Sequence, residues 1–278
     1  MVDLLQNLTK EYQKYFSDLD AALNRIREIS AAARKLGLDP KSRPEIDIAE
    51  DLAGLVEGFI GIPKLAERIR SLSKKMSRER MAFKIAEEIV KGKFGQYDDE
   101  KLASLAIRTA LAILTEGVTA AVYSEGISKV LIKSNMDGSR YLAIYFAGPI
   151  RSAGGTETAL TPVVADFVRR LLGLDRYKPT EEEIHRFIEE LRLYEREVGR
   201  FQYRVTDEEV RKALKNLPVE ITGIPSNNIE VSSFRNLPRI ETNCLRGGAL
   251  RVINDGIIGR AAKVLAVVED LGIEGWEW

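Results

Sequence analysis

Two short windows hold the residues whose types and spacing could do chemistry. In AGPIRSAGGTE they are Arg151, Ser152, Gly154, Gly155 and Thr156, and in ETNCLRGGALRV they are Asn243, Arg246, Gly247, Gly248 and Arg251. A guanidinium grips phosphate through paired N–H donors, and glycines clear side chains so that backbone amides can approach an anion. The chemistry suggested is polyanion binding, with both windows converging on one phosphate-rich ligand. Neither window is a known fingerprint: no lysine and hydroxyl pair follows the glycines, and their spacing is not that of a dinucleotide site. The alternative stays open that both Gly-Gly pairs serve turns, strand crossings or bulges.

Other chemistries lack material. One cysteine, Cys244, and one histidine, His185, leave no internal disulfide, no cysteine zinc site and no nucleophile–histidine pair. His185 lies in EEEIHRFIEE and reads as a solvated or packed helix position. The 42 basic residues balance the 42 acidic ones, so any nucleic-acid contact must come from a local patch. One of the denser basic clusters is Lys74, Lys75, Arg78, Arg80 and Lys84, with a solvated face as the plainer reading. With 45% hydrophobic and 30% charged residues the chain is globular, and no apolar run reaches spanning length or forms a signal core. The expectation is a cytoplasmic protein with no membrane contact.

The elements that must position the windows follow from periodicity. Tyr141 to Ala147 reads as a buried strand, and the first glycine window follows it. Leu160, Val163, Val164, Phe167, Val168 and Leu171 then mark a helix, and Pro162 places its first turn near Thr161. Earlier, Val118 to Val122 and Lys129 to Ser134 read as strands, the latter joined to Tyr141 by a turn at Asn135 to Gly138. Four helices precede them: Ile46 to Phe59, Pro63 to Met76, Ser77 to Val90 and Asp98 to Glu116. Thr180 with Glu183 and Thr206 with Glu209 are capping boxes that start two more. Val219 to Thr222, Ile229 to Val231 and parts of Ile240 to Ile253 look extended, and Asp255 to Leu271 reads as a closing helix.

The N-terminal stretch is of a different kind. Leu5, Leu8, Tyr12, Tyr15, Leu19, Ala22, Ile26, Ile29, Ala33 and Leu36 recur at alternating steps of three and four, which is a heptad seam. A helix so long should pair with something, either a second copy of itself or another subunit, unless it lies across its own domain. Gly37 ends it, and LGLDPKSRPE reads as a linker. The organisation expected is a heptad-patterned helix at 1–38 for dimerisation or subunit contact, a helical domain at 46–116, and an α/β domain at 117–278 carrying both glycine windows. The fold class is α+β and helix-rich: a long N-terminal helix and a small bundle, followed by a mixed sheet with packed helices. The ending GIEGWEW, with two tryptophans needing something to pack on, suggests a longer parent chain.

Several motifs in order, YLAIYFAGPIRSAGGTETAL, FVRRLLGLDRYKP, PVEITG, ETNCLRGGALRV and GIEGWEW, make the chain from Asp47 to Trp278 resemble the N-terminal region of the large subunit of archaeal family D DNA polymerase. The resemblance implies a two-subunit replicative enzyme whose large subunit carries nucleotidyl transfer and whose small subunit carries the proofreading exonuclease. Its polymerase site lies in a later part of the large chain, around an acidic motif with magnesium. No such motif occurs here: Asp137, Asp166 and Asp255 are scattered among turns and helices, and the family's zinc-binding cysteines are absent. The resemblance therefore implies a segment without catalysis or cofactor of its own, whose partners are the small subunit, the rest of the large subunit and primer–template DNA. A free-standing phosphate- or nucleotide-binding α/β protein is the competing expectation.

Overall fold

The computed structural model of the chain describes residues 8–38, 49, 51–115, 126–148, 150 and 155–276. They divide into two compact units, 1–47 and 48–278.

Among the described residues the first unit holds one helix, α1 (Lys10–Lys35). Gly37, at φ +71°, ends it, and the Leu38 amide returns to the Ala33 carbonyl. No residue of α1 is buried. Tyr12, Tyr15, Ile26 and Ile29 are each about 60% exposed, so the large apolar side chains of the described seam stand in solvent. Leu5 lies outside the described residues.

The second unit opens with four helices whose starts are chemically marked. Asp51 caps α2 (Leu52–Ile60), accepting from the Gly54 amide, and Arg70 of α3 (Leu65–Ser73) grips the same carboxylate. Ser77 caps α4 (Arg78–Val90) and Asp98 caps α5 (Asp99–Leu114). Helix α5 buries eleven residues and packs against α2 and α4.

Strands β1 (Ile127–Ser134) and β2 (Arg140–Phe146) form an antiparallel hairpin, and the Asn135 amide meets the Ser139 carbonyl at its turn. The strand expected at 118–122 lies outside the described residues. β2 sits mid-sheet, because β3 (Glu220–Gly223) pairs parallel to its other edge. Its side chains alternate between two covered faces. Leu142, Ile144 and Phe146 join the main core, whereas Tyr141, Ala143 and Tyr145 pack with Leu131 and Tyr177.

Between β2 and β3 run α6 (Gly155–Leu171), α7 (Glu181–Glu197) and α8 (Asp207–Asn216), the last two opened by the Thr180/Glu183 and Thr206/Glu209 capping boxes. α6 corrects one expectation: it begins at Gly155 and carries Pro162 inside it. Interior proline forfeits a helical hydrogen bond. Burial of Ala159, Leu160, Val163, Val164, Ala165 and Val168 overrides that cost. After β3 an irregular excursion, touching itself at a Glu230–Cys244 bridge, leads to α9 (Gly247–Arg251), a π-helical segment (Val252–Ile258) and α10 (Ala261–Leu271). Extended structure expected up to Ile253 therefore stops before Gly247, and the helix expected from Asp255 is two segments separated at Gly259 and Arg260.

One core runs from Ala53 in α2 to Trp276, through α5, α6 and the sheet. The helical part and the α/β part share it. The fold is α+β and helix-rich, with a small mixed sheet. No helix among the described residues is long and apolar enough to cross a membrane.

Candidate functional site

The second glycine window sits on a charged interior that α7 builds. Glu183, Phe187, Glu190 and Tyr194 fall on one helix face at steps of three and four, so two carboxylates enter an otherwise apolar stripe. Arg186, also fully buried, donates Nε to Glu190 Oε1 at 2.8 Å and spans to the Phe234 and Thr242 carbonyls with Nη1 and Nη2. Glu190 takes Arg246 as well: Nη2 to Oε1 at 2.7 Å and the backbone amide to Oε2 at 2.9 Å. Arg246 Nη1 reaches Thr222 Oγ1 on β3 at 2.9 Å. With 2% of its surface exposed, Arg246 is an interior tie between α7, β3 and α9. Burial pulls its guanidinium down, and the Glu190 carboxylate more than offsets that, so it stays charged.

Beside it, Glu220 of β3 faces Lys133 Nζ at 2.9 Å and Tyr141 OH at 2.9 Å. Burial pushes its carboxyl above the ordinary value, with Lys133 opposing. Arg239 donates Nε to Glu183 Oε1 at 2.7 Å and Nη2 to the Lys178 carbonyl at 2.9 Å. Glu189 accepts from three successive amides, Ser232, Ser233 and Phe234, at 2.7 to 3.2 Å. Such a nest of N–H groups suits an anion, and here the chain's own carboxylate fills it. These ties hold the excursion between β3 and α9 against the body.

Ala147 and Ile150, at the start of the first window, pack against Gly248 of the second. A Cβ on Gly248 would stand 2.7 Å from the Ala147 carbonyl oxygen and 3.1 Å from Ile150, at the entry to the first window. A Cβ on Gly247 would fall 2.6 Å from Ser226 Oγ. The Gly248 approach is to backbone and requires glycine, whereas at Gly247 the neighbour is the Ser226 side chain. Gly155 lies beneath the Arg260 guanidinium, which also contacts Gln202 Oε1 at 2.7 Å. Arg251 donates to Asp255 Oδ2 at 2.7 Å and stacks over Phe201. Asn243 accepts from the amide of Asn236, a residue in the left-handed region at φ +55°. Arg151, Ser152 and Gly154, and the side chain of Thr156, lie outside the described residues.

Sequence reasoning missed Arg186, Glu190, Glu220 and Arg260. A signal for the first two was present, since Arg186 and Glu190 stand four apart within an apolar stripe. Nothing local marks Glu220 or Arg260, whose partners come from distant segments.

The basic cluster is more open. Lys74 and Lys75 are exposed; Lys84 pairs with Glu87 at 2.8 Å, and Arg80 reaches the Asp270 carbonyl at 3.3 Å. Residues 64–93 hold ten lysines and arginines against four glutamates, so a neutral chain is locally basic there. His185 stacks on Phe234 and holds Nδ1 2.8 Å from the Glu181 carbonyl, a packed helix position.

The carboxylates do not converge. Asp137 serves the hairpin turn and Lys178, Asp166 takes Arg169, Arg170 and Trp276, and Asp255 caps the Gln202 and Tyr203 amides. Among the described residues no group of three or more His, Cys, Asp or Glu side chains could hold a metal. The donors present among them do not fit a magnesium site.

Fold and interior thus define a helix-rich α+β module whose inner charges tie its own segments together. The particular family follows from comparison with known proteins. Residues 14–278 match the family described as DNA polymerase II large subunit DP2, N-terminal. The DNA polymerase II large subunit of Pyrococcus horikoshii is 51% identical over 274 residues, covering 98% of this chain and 19% of that protein. The one from Methanothermobacter thermautotrophicus is 52% identical over 267 residues, covering 95% and 24%. The one from Methanococcus maripaludis strain C5 is 49% identical over 270 residues, covering 97% and 24%. The chain belongs to the DNA polymerase II large subunit family and corresponds to its N-terminal part. It spans about a fifth to a quarter of the length of these curated relatives.

Proposed function

We propose that this chain is a non-catalytic N-terminal module of the large subunit of a replicative archaeal DNA polymerase, in which α1 serves assembly and the α+β body supports the catalytic core. The observation that carries this reading is a contrast between the two units. The large apolar residues of the described α1 seam are exposed, while Arg186, Arg246 and Arg239 spend their donors inside the body. An unpartnered apolar stripe on a long helix calls for a partner. A body knitted by buried ion pairs serves as a rigid support.

A DNA-backbone contact belongs to the same proposal, and the locally basic segment 64–93 supports it better than the second glycine window. A phosphate at Arg246 would have to displace Glu190 from an enclosed position, whereas Lys74, Lys75 and Arg80 stand at the surface. The module's partners in this reading are the small exonuclease subunit, the rest of the large subunit and primer–template DNA.

Two measurements test the two limbs. In the full large subunit, Tyr15→Lys with Ile26→Lys is expected to reduce recovery of the assembled polymerase while the body's thermal transition stays in place. Undiminished assembly would remove the role of α1. Primer–template binding, followed by fluorescence anisotropy across a salt series, is expected to lose slope when Lys74, Lys75 and Arg80 become alanine. An unchanged slope would remove the backbone contact.

A further inference from the structure

The loop between α7 and α8 turns outward a group of side chains that the rest of the body does not use. We propose that it is a docking surface for a carboxylate-bearing segment of another protein chain of the assembled polymerase, with Arg200 and Arg204 as the anion contacts and Tyr203 as the apolar one. The inference rests on the support role of the body and gives that body a contact of its own, independent of α1.

The arginines of the body are almost all engaged. Among its described residues, Arg140, Arg200 and Arg204 are the arginines whose side chains have no hydrogen bond, ion pair or ring contact, and two of them fall in this loop. The reason is local. Phe201 and Val205 are buried, so the chain between Gly199 and Thr206 leaves Arg200, Gln202, Tyr203 and Arg204 exposed. Tyr203 keeps 37% of its surface in solvent.

The loop is held more firmly than a connection between two helices requires. Asp255 Oδ1 accepts from the Gln202 and Tyr203 amides at 2.8 and 3.2 Å, and Asn254 Nδ2 donates to the Tyr203 carbonyl at 2.9 Å. Arg251 and Arg192 donate to the Arg200 and Val205 carbonyls at 3.1 and 2.9 Å. Asn254 and Asp255 come from the π-helical segment, a rare geometry that recurs at functional sites. Gly259 follows it. A Cβ there would fall 2.3 Å from Tyr203 Cδ2, so the ring rests on bare backbone, with the Arg260 guanidinium 5.2 Å from its centre. The outward groups are thus set in place before any partner arrives, which lowers the ordering cost of binding.

Charge decides the kind of partner. Tyrosine and arginine are among the residues that most often anchor protein interfaces. A nucleic-acid backbone asks instead for a run of uncompensated cations. From Arg192 to Glu209 four arginines stand among five carboxylates; Arg192 is taken by Glu195 and Asp207, and Arg196 by Glu197. What remains is a pair of free guanidiniums in a surface of mixed sign. That pattern fits discrete carboxylates on a protein segment, and a continuous polyanion would meet repulsion on both sides of it.

The test uses the complete large subunit reconstituted with the small subunit, with a primer–template present. Tyr203 is replaced by the photoreactive residue p-benzoylphenylalanine, and the peptide joined on irradiation is identified by mass spectrometry. The expected product is an acidic peptide of the small subunit. Arg200→Glu with Arg204→Glu should lower its yield about tenfold. Reversing the charge of the carboxylates in that peptide should then restore it. Arg140→Glu, at the free arginine outside the loop, is the control and should leave the yield unchanged. Neither loop arginine touches the body, so its melting transition by circular dichroism should stay in place. No product, a product joined to DNA or to the large subunit itself, or a product indifferent to the two reversals overturns the proposal. The outcome is separable from the assembly role of α1. A polymerase that loses mass without residues 1–38 yet gives no such product would keep that role and remove the docking loop. An arginine-dependent product from a polymerase that assembles fully without residues 1–38 would do the reverse.

Discussion

Arg246 meets Glu190 through both its backbone amide and its guanidinium, at 2.9 and 2.7 Å, in a part of the molecule closed to solvent. The pair joins α7 to the start of α9, and Arg186 of α7 shares the same carboxylate. Through these two arginines one glutamate ties α7 to Thr222 of β3, to the Phe234 and Thr242 carbonyls and to the start of α9.

Removing one member leaves the others buried and unpaired. Glu190→Gln is expected to destabilise the chain by about 3–5 kcal/mol, the scale for a broken interior ion pair. Urea unfolding checks it. A change below about 1 kcal/mol would show that the pair is not a structural tie.

Glu220 gives a pH signature. Burial raises its carboxyl above the ordinary 4.5, so the folded chain holds that proton more firmly than the unfolded chain does. Its contribution is present in full below the unfolded value and is lost as pH rises through the raised folded value. Glu220→Gln abolishes this titration. Relative to that variant, the parent should therefore lose stability as pH climbs from about 4.5. Parallel curves of unfolding free energy against pH would contradict the assignment.

The Gly248 contact is steric. Gly248→Ala would press a methyl group against the Ala147 carbonyl and is expected to cost about 1–3 kcal/mol. Gly199→Ala, where a Cβ meets nothing within 4 Å, is the control and should stay close to the parent. Equal effects at the two sites would remove the close-packing account of the second window.

Thr206→Ala deletes one partner of a capping box whose Glu209 also accepts from the Thr206 amide at 2.7 Å. The expected loss is about 1 kcal/mol. Chemical denaturation would read it, and an unchanged midpoint would mean that α8 does not rely on its cap.

Signals written within a few residues were legible in the sequence. Both capping boxes, the β1–β2 turn, the buried strand expected at Tyr141 to Ala147 and found at Arg140–Phe146, and the helix that carries the α1 seam are local chemistry, and the structure holds each of them. Pro162 misled because burial on several sides of α6 outweighs the penalty that marks a helix start. Gly247-Gly248 signalled close backbone approach, but not what approaches. The approaching group is the chain's own Ala147 carbonyl, about one hundred residues away in sequence, and such a contact has no local signature. Arg246 is the sharper case: an arginine beside two glycines reads as a phosphate ligand until Glu190 is found against it.

The central claim is that α1 belongs to assembly and the body to support. The most direct measurement is the sedimentation mass of the reconstituted polymerase, made once with the complete large subunit and once with residues 1–38 deleted, alongside the melting curve of each large subunit alone. The account predicts a smaller assembly from the deleted form, with the body's transition unmoved. An assembly of full mass without α1 would contradict it.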